Sequence, residues 1–393
     1  MNQSEPLHIV LAGGGTAGHV NPLLSIAQHI RDVEPNAQIS IIGTVVGLEA
    51  RLVPEAGFEL DTIEKVPFPR SINAQTFLFP SKFMKQLSSV KEILTKRQAD
   101  VVVGVGGYAS APAYVQARSM KLPVVIHEQN ARAGMANKLG ARWADFVGLT
   151  YDNCGIEAHG NTRVERVGLP LRSAIAHRAD SLEINRREAK REAALELGLN
   201  PDKPIIAVTG GSLGALSLNT AVSQAAAELI KTAQIIHLTG KGKSQAVRDT
   251  LEQLIDPQEI VELGSFERGS YHISEYWEGM DAVMAAADLV ICRSGAGTVA
   301  ELTALGTPAV YVPLPIGNGE QVYNAQPVAQ LGGGIIVDDS RFNAEWINSN
   351  IIELINNSQR LEEMSAIAWD YGKRDAAQTM ARIVLEKARQ ARK

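Results

Sequence analysis

The chain has little cysteine, two residues in 393. Cys154 and Cys292 lie far apart and form no CxxC, which argues against a disulfide framework or a zinc knuckle. No DxD tripeptide occurs, so the usual acidic clamp for the metal of a nucleotide diphosphate is missing. No apolar run reaches the ~18 residues that a membrane span requires. The start, MNQSEPLHIV, lacks the basic-then-apolar pattern of a signal peptide. Charge of neither sign dominates. Lys and Arg total 38 against 43 Asp and Glu, a net −5 that offers nucleic acid no bulk attraction. The expectation is a cytosolic protein, soluble or peripherally membrane-bound, long enough for two domains with full cores.

What is present is a rhythm. Residues 7–12 are a short apolar run that breaks into GGGTAGH (13–19) and resumes as an apolar-periodic helix over 22–30. Strand-like runs follow at 39–43, at 100–104 before GGYAS, at 123–126 before HEQN (127–130), and at 146–149. Strands alternating with helices, with glycines at the strand ends, predict a parallel sheet covered on both faces. Ligands of such sheets sit at the carboxyl ends of the strands. Residues 168–172, GLPLR, read as a linker, and RREAKRE within 181–197 reads as a solvated helical face. A second apolar run, 205–209, then opens into GGSLGALSLN (210–219), echoing the first glycine loop. Strands at 234–238, 259–263, 289–292, 309–312 and 334–337 complete this half. The expected fold class is therefore α/β, with two Rossmann-like parallel-sheet domains facing a cleft. They span 1–170 and 171–370, and the final helix (within 371–393) is expected to pack back on the first domain.

Gly13-x-Gly15-x-x-Gly18 matches the dinucleotide fingerprint, which also requires an acid at the end of the second strand. That strand ends Ile42-Gly43-Thr44-Val45, and the first acid, Glu49, falls well into the next segment. The turn leads instead to His19. Beside a helix N-terminus the dipole disfavours an imidazolium, so His19 should stay neutral and able to take a proton near pH 7. Capping the helix is its other reading. Glu128 is a second candidate base. His127-Glu128 begins like a zinc HExxH, but Ala131 occupies the second His position, so no metal site is read there.

Residues 288–325 combine a strand, a turn with Gly295 and Gly297, a helix with Glu301 in its first turn, another strand, and a polar loop. That loop carries Glu320, Gln321 and Asn324. The glycines let amides approach a ligand, and the helix start offers unpaired donors. Glu301 can accept from both hydroxyls of a ribose, while amide and carboxylate groups in the loop suit a sugar. Thr298 and Glu301 also fit a capping box, in which the Glu serves its own helix. Without DxD, leaving-group charge would rest on helix starts, at about 0.3–2 kcal/mol each, and on a cation such as Arg172. A charge-assisted bond to phosphate adds about 1.5–3 kcal/mol; a surface ion pair is the other reading of Arg172. Phe77, Leu78, Phe79 and Phe83 lie among Lys82, Lys85 and Lys91. They form either a membrane-facing patch or the start of an ordinary core helix.

GGTAGHVNP (14–22), GVGGYAS (104–110), HEQN, GGSLGALSLN, CRSGAGTVAEL (292–302) and GEQVYNA (319–325) follow in order over nearly the whole chain. Together they resemble the MurG family of glycosyltransferases, family 28. The resemblance implies a GT-B fold and an inverting transfer of GlcNAc from UDP-GlcNAc to the 4-hydroxyl of MurNAc in lipid I. The product would be lipid II, in peptidoglycan synthesis. It implies no metal and no cofactor, peripheral attachment to the cytoplasmic side of the cell membrane, cell-wall and division proteins as partners, and no nucleic acid. By the same resemblance Glu301 holds the ribose, and the Trp277 backbone lies at the uracil. Arg172, Gly211, Ser212 and Gly214 face the donor phosphates, and Glu320, Gln321 and Asn130 touch the GlcNAc hydroxyls. Thr16 and Gly18 also fall in the donor set. His19 receives the attacking hydroxyl, and Gly14, Gly15, Gly106, Gly107 and Tyr108 receive the acceptor pyrophosphate. Three positions depart from the family pattern: Ala17 replaces a glycine, Leu169 an asparagine, and Glu320 a glutamine. Either Glu320 or Gln321 could then read the donor 4-hydroxyl. Two rival readings are a UDP-GlcNAc 2-epimerase and a transferase to another lipid acceptor.

Overall fold

The computed structural model describes residues 5–66, 74–316 and 319–393, with the backbone alone for 74–78. It divides into two compact units, Met1–Arg172 with Arg374–Lys393, and Ser173–Lys373.

The first unit is built on seven parallel strands. They are β1 (His8–Ala12), β2 (Gln38–Gly43), β3 (Glu59–Thr62), β4 (Val101–Gly104), β5 (Val124–Glu128), β6 (Phe146–Leu149) and β7 (Arg163–Arg166). Their order is β3-β2-β1-β4-β5-β6-β7. The chain winds outward one way from β1 to β3 and then returns to place β4 on the other side of β1. Adjacent loops diverge at that reversal, which opens a crevice at the carboxyl ends of β1 and β4. Alternation along β1 feeds two cores. Ile9 and Leu11 pack with Leu23, Ile26 and the C-terminal helix, while Val10 and Ala12 pack with Val90, Leu94, Ala113 and Tyr114. This is why the strand reads as a continuous apolar run.

The C-terminal helix, Ala376–Ala391, buries Met380, Ile383, Val384 and Leu385 in the first core. At about 1.5–3 kcal/mol per large side chain, an upper range, this is enough to hold the helix there. Arg392 completes the seam with paired bonds to Asp100, 2.8 and 2.7 Å.

The second unit repeats the plan with β8 (Ile205–Thr209), β9 (Gln234–Leu238), β10 (Ile260–Glu262), β11 (Tyr271–Ser274), β12 (Leu289–Cys292), β13 (Ala309–Tyr311) and β14 (Gly334–Ile336). The order β10-β11-β9-β8-β12-β13-β14 puts its reversal between β8 and β12.

Two expectations change. Residues 168–171 are not a loose linker but a buried segment of the first unit. Ser25 Oγ donates to the Leu171 carbonyl, and His127 Nε2 donates to the Gly168 carbonyl at 2.8 Å. The charged helix, Ser173–Glu196, is more than a solvated face. It buries Ile175, Leu182, Ala189 and Ala193, kinks at Asn185, and sends Lys190 to Asp288 at 2.7 Å and Arg186 to the Leu305 carbonyl at 2.9 Å.

Candidate functional site

At the first reversal, the turn after β1 enters the helix Ala17–Val33 through Thr16, the N-cap. The helix thus begins before Pro22, which lies inside it. Gly14 and Gly15 have φ of 152° and 97°, conformations that glycine adopts without a Cβ penalty. Beneath the turn lies Glu49, only 1% exposed. One carboxylate oxygen accepts the Gly15 amide at 2.7 Å, and the other accepts the Thr44 amide at 2.9 Å and its hydroxyl at 2.7 Å. Burial pushes the Glu49 carboxyl up, but these donors outweigh it and hold it below the usual carboxylate range. Sequence reading passed over Glu49 because it lies too far along for a dinucleotide ribose. It is an inward brace. The Gly15 amide is therefore already bonded and is not among the unpaired donors of the helix start.

The turn after β4 supplies the opposite wall. Gly106 and Gly107 have φ of 88° and 85°. A Cβ on Gly107 would stand 2.7 Å from the Gly14 carbonyl oxygen, and one on Gly106 would stand 3.3 Å from His19 Nε2. The two glycine turns and the His19 ring therefore meet. His19 Nδ1 pairs with Thr16 Oγ1 at 3.1 Å. Its pKa is lowered, first by burial, with the Glu49 charge opposing. The expected direction holds, although burial rather than the helix dipole is the leading cause. Tyr108 is half-buried at the rim, with the Lys65 ammonium 4.9 Å from its ring centre. Gly18 is exposed on the first turn of the helix.

Glu128 ends β5 and is 2% exposed. It accepts the amides of Asn130 and Gly134, both at 3.0 Å, and Asn137 Nδ2 at 2.9 Å. Burial raises its pKa despite these bonds. Asn137, which sequence reading missed, also takes the Tyr114 hydroxyl at 2.7 Å and donates to the His127 carbonyl at 3.1 Å. His127 is fully buried with its pKa lowered to about 4, chiefly by burial. Within HEQN, then, His127 and Glu128 order the turn, while Asn130 is only half-buried. Arg172, also half-buried, closes this unit.

At the second reversal, β8 runs into the turn 210–215 and the helix Leu216–Gln224. Gly211 donates to Thr209 Oγ1 at 3.1 Å, and both Gly211 and Ser212 are exposed. Gly214, φ 67°, is pressed on the chain after β9, where an added Cβ would stand 2.0 Å from the Thr239 carbonyl oxygen. A buried chain fixes that carbonyl. It accepts Asn219 Nδ2 at 2.9 Å, and Asn219 Oδ1 meets His237 Nε2 at 3.1 Å. An amide oxygen only accepts, so Nε2 carries the proton and Nδ1 takes the Tyr271 hydroxyl at 2.6 Å. Burial pushes His237 down to about 3, keeping this tautomer neutral.

After β12 the helix Ala296–Leu305 starts at its N-cap Gly295, whose successors offer amides to the same crevice. Glu301 therefore lies one turn deeper than expected, and the capping-box reading fails because the cap is three residues too early. Glu301 is 9% exposed. Arg293, in the CRSGAGTVAEL motif, is half-buried. It donates to the Val312 carbonyl at 2.9 Å and to Ser217 Oγ at 2.8 Å, and it pairs with Asp339 at 2.6 Å.

The expected polar loop is instead the start of a helix, Glu320–Leu331, entered through Gly319 at φ 68°. Glu320 is exposed, and Gln321 Oε1 accepts the Leu314 amide at 2.9 Å. Asn324 is buried and donates to the Ser294 carbonyl at 3.2 Å, joining this helix to the turn after β12. Trp277 is half-buried; a Cβ on Gly264 would come within 2.7 Å of its ring.

On the helix Ala74–Lys96, Phe79 and Phe83 stack with ring centres 5.5 Å apart. Both are half-buried and continue the stripe of Gln86, Val90 and Leu94, while Lys82, Met84 and Lys85 are exposed. The side chains of Phe77 and Leu78 lie outside the described residues. Among the described residues, no helix is long and apolar enough to cross a membrane.

Sequence comparison matches residues 9–149 to the glycosyltransferase family 28 N-terminal domain and residues 205–380 to its C-terminal domain. A protein of Bifidobacterium longum (strain DJO10A) is 55% identical over 390 residues, covering 99% of each chain. It is named UDP-N-acetylglucosamine–N-acetylmuramyl-(pentapeptide) pyrophosphoryl-undecaprenol N-acetylglucosamine transferase. A protein of Paenarthrobacter aurescens (strain TC1) with the same name is 44% identical, covering 98% of this chain and 97% of its own. Among solved structures, MurG of Acinetobacter baumannii aligns with a TM-score of 0.76 at 28% identity, covering 97% of this chain and all of its own. A UDP-GlcNAc 2-epimerase of Neisseria meningitidis bound to UDP-GlcNAc aligns at 0.65 with 17% identity, covering 97% and 100%, which is a likeness of fold alone.

Proposed function

The chain belongs to glycosyltransferase family 28, and from that premise we propose that it moves GlcNAc from UDP-GlcNAc to lipid I, forming lipid II. The observation that carries the chemistry is His19, a half-buried imidazole with a lowered pKa at the first sheet reversal, seated on Gly106 beside the Gly14 turn. In this reading the first unit takes the acceptor. Its pyrophosphate meets the helix start after Gly15 and the Gly106–Gly107 turn, and His19 removes the proton from the attacking 4-hydroxyl. The second unit takes the donor. The turn 211–214 and the helix after Gly295 face the diphosphate, Glu301 accepts from the ribose diol, and the Trp277 backbone meets the uracil. Glu320 and Gln321 reach the sugar; Asn324, held to Ser294, braces them.

The acceptor oxygen forms a bond to the anomeric carbon as the bond from that carbon to the UDP oxygen breaks. The proton passes to His19, and the anomeric configuration inverts. Glu128 is the brace of the site rather than the base, because three donors already occupy its carboxylate. The reaction proceeds without a divalent ion, with helix starts and Arg172 carrying the leaving-group charge. The protein docks on the cytoplasmic side of the cell membrane through the exposed lysines and partly exposed phenylalanines of the helix Ala74–Lys96. The epimerase reading loses ground to relatives of over 50% identity that bear a transferase name.

The test is incubation with UDP-GlcNAc and a lipid I analogue in EDTA. The expected result is a disaccharide lipid and UDP in equal amounts. Activity that returns only with added magnesium would overturn the metal-free step. Formation of the manno isomer from UDP-GlcNAc alone would overturn the transferase.

A further inference from the structure

We propose that Glu49 is a positioning residue for the transfer, fixing the Gly14–Thr16 turn and, through it, His19. The inference rests on the reading of this turn as the acceptor side of the site.

The geometry is that of a socket built for one carboxylate. Three glycines from two segments leave room for it. A Cβ on Gly14 would stand 2.5 Å from the Glu49 carboxylate, one on Gly43 2.6 Å from Glu49 Cγ, and one on Gly47 2.0 Å from Oε2. Each oxygen is engaged. Oε1 takes both donors of Thr44, which anchors the carboxylate to the end of β2, while Oε2 takes the Gly15 amide at 2.7 Å. The side chain thus ties the turn after β1 to the end of its neighbouring strand. From Gly15 the constraint runs two ways. The Gly14 carbonyl is set against Gly107, and Thr16 Oγ1 is set at 3.1 Å from His19 Nδ1, with the ring lying on Gly106. Gly14 and Gly15 lack a Cβ and sit at positive φ, so the turn has little intrinsic stiffness. Glu49 supplies that stiffness. Its negative charge also favours the imidazolium that forms when His19 takes a proton.

The socket calls for two acceptor oxygens, as a carboxylate provides. A glutamine has nearly the same volume, but its amide can keep only one of the two arrangements. If its oxygen stays on Thr44, its NH2 faces the Gly15 N–H, donor against donor. The turn must then move away, and a displacement of about 1 Å at the reacting groups can cost about 10²-fold in rate.

The experiment compares Glu49→Gln with Thr44→Val in the full chain, measuring transfer to a lipid I analogue and UDP-GlcNAc binding by calorimetry. Thr44→Val removes only the hydroxyl bond and leaves the Gly15 contact intact. The expected result is a kcat for Glu49→Gln lower by about 10²-fold, unchanged UDP-GlcNAc affinity, and a smaller loss for Thr44→Val, which keeps the Thr44 amide bond and the Gly15 contact. Glu49→Asp, which keeps the charge but falls short of Gly15, should lose kcat in the same way and serves if Glu49→Gln does not fold. Wild-type kcat in Glu49→Gln, or equal losses in Glu49→Gln and Thr44→Val, would overturn the inference while leaving the transferase standing. Wild-type protein that binds UDP-GlcNAc yet transfers to no lipid acceptor would instead overturn the functional reading beneath it.

Discussion

Asn137 Nδ2 donates to Glu128 Oε2 across 2.9 Å, and this bond separates the two candidate bases. Asn137 is saturated by Tyr114, His127 and Glu128, so its side chain cannot turn away without stranding a buried partner. Glu128 is therefore held by its neighbours, while His19 faces the crevice. Asn137→Leu keeps the bulk but leaves the Tyr114 hydroxyl and the Glu128 carboxyl each one partner short. Unfolding free energy measured in urea should fall by about 1–3 kcal/mol.

His19→Ala should lower turnover by about 10²–10⁴-fold while UDP-GlcNAc affinity, measured by calorimetry, stays near wild type. The pH profile follows from the lowered pKa of His19. A base works in its neutral form, so activity rises with pH as His19 loses its proton. A folded pKa below the ordinary 6.5 places that rise on the acid side of 6.5, with a plateau through neutral pH. Equal weakening of turnover and donor binding would make His19 a structural residue.

Glu301→Ala removes the acceptor for the ribose diol. A hydrogen bond to a charged group contributes about 1.5–3 kcal/mol, so the donor Kd should rise by roughly 10- to 150-fold. A donor lacking the 2′-hydroxyl should lose less on the variant than on the wild type. If both enzymes discriminate equally, Glu301 does not touch the ribose.

Gly211 and Gly214 both have positive φ, yet their alanine variants should differ. At Gly211 an added Cβ meets nothing within 4 Å, so the cost is backbone strain alone, about 1–3 kcal/mol. At Gly214 it meets the Thr239 carbonyl oxygen at 2.0 Å, where Asn219 and His237 allow no retreat. Gly214→Ala should abolish measurable UDP-GlcNAc binding while Gly211→Ala retains it.

The exposed Lys82 and Lys85 should favour anionic membranes by about 1 kcal/mol each. Replacing both with Ser should lower partitioning onto phosphatidylserine-containing vesicles by roughly 30-fold. Binding to neutral vesicles should not change. A loss equal on both vesicle types would assign the effect to the helix itself.

Much of this was legible from the residues. Strands buried on both faces, such as VVVG at 101–104, announce themselves, and glycines at strand ends mark where the chain must turn under a ligand. What escaped were strands without that signal. β3 (ELDT) and β7 (RVER) are the two edges of the first sheet and carry mostly polar side chains, so neither alternation nor apolar runs reveal them. β11 was missed because its YHIS sequence is short and holds a histidine. Helix starts also slipped. Pro22 read as a first-turn proline, though the helix begins at Ala17, and the sugar loop proved to be a helix entered through Gly319. Glu49, Asn137 and His237 each bond a partner 23 to 34 residues away, a contact that local spacing does not encode.

The most direct test of the account is the anomeric configuration of the disaccharide formed from UDP-GlcNAc and a lipid I analogue, read by NMR. A single displacement, with His19 taking the proton, predicts a β-linked product from the α-linked donor. An α-linked product would contradict it.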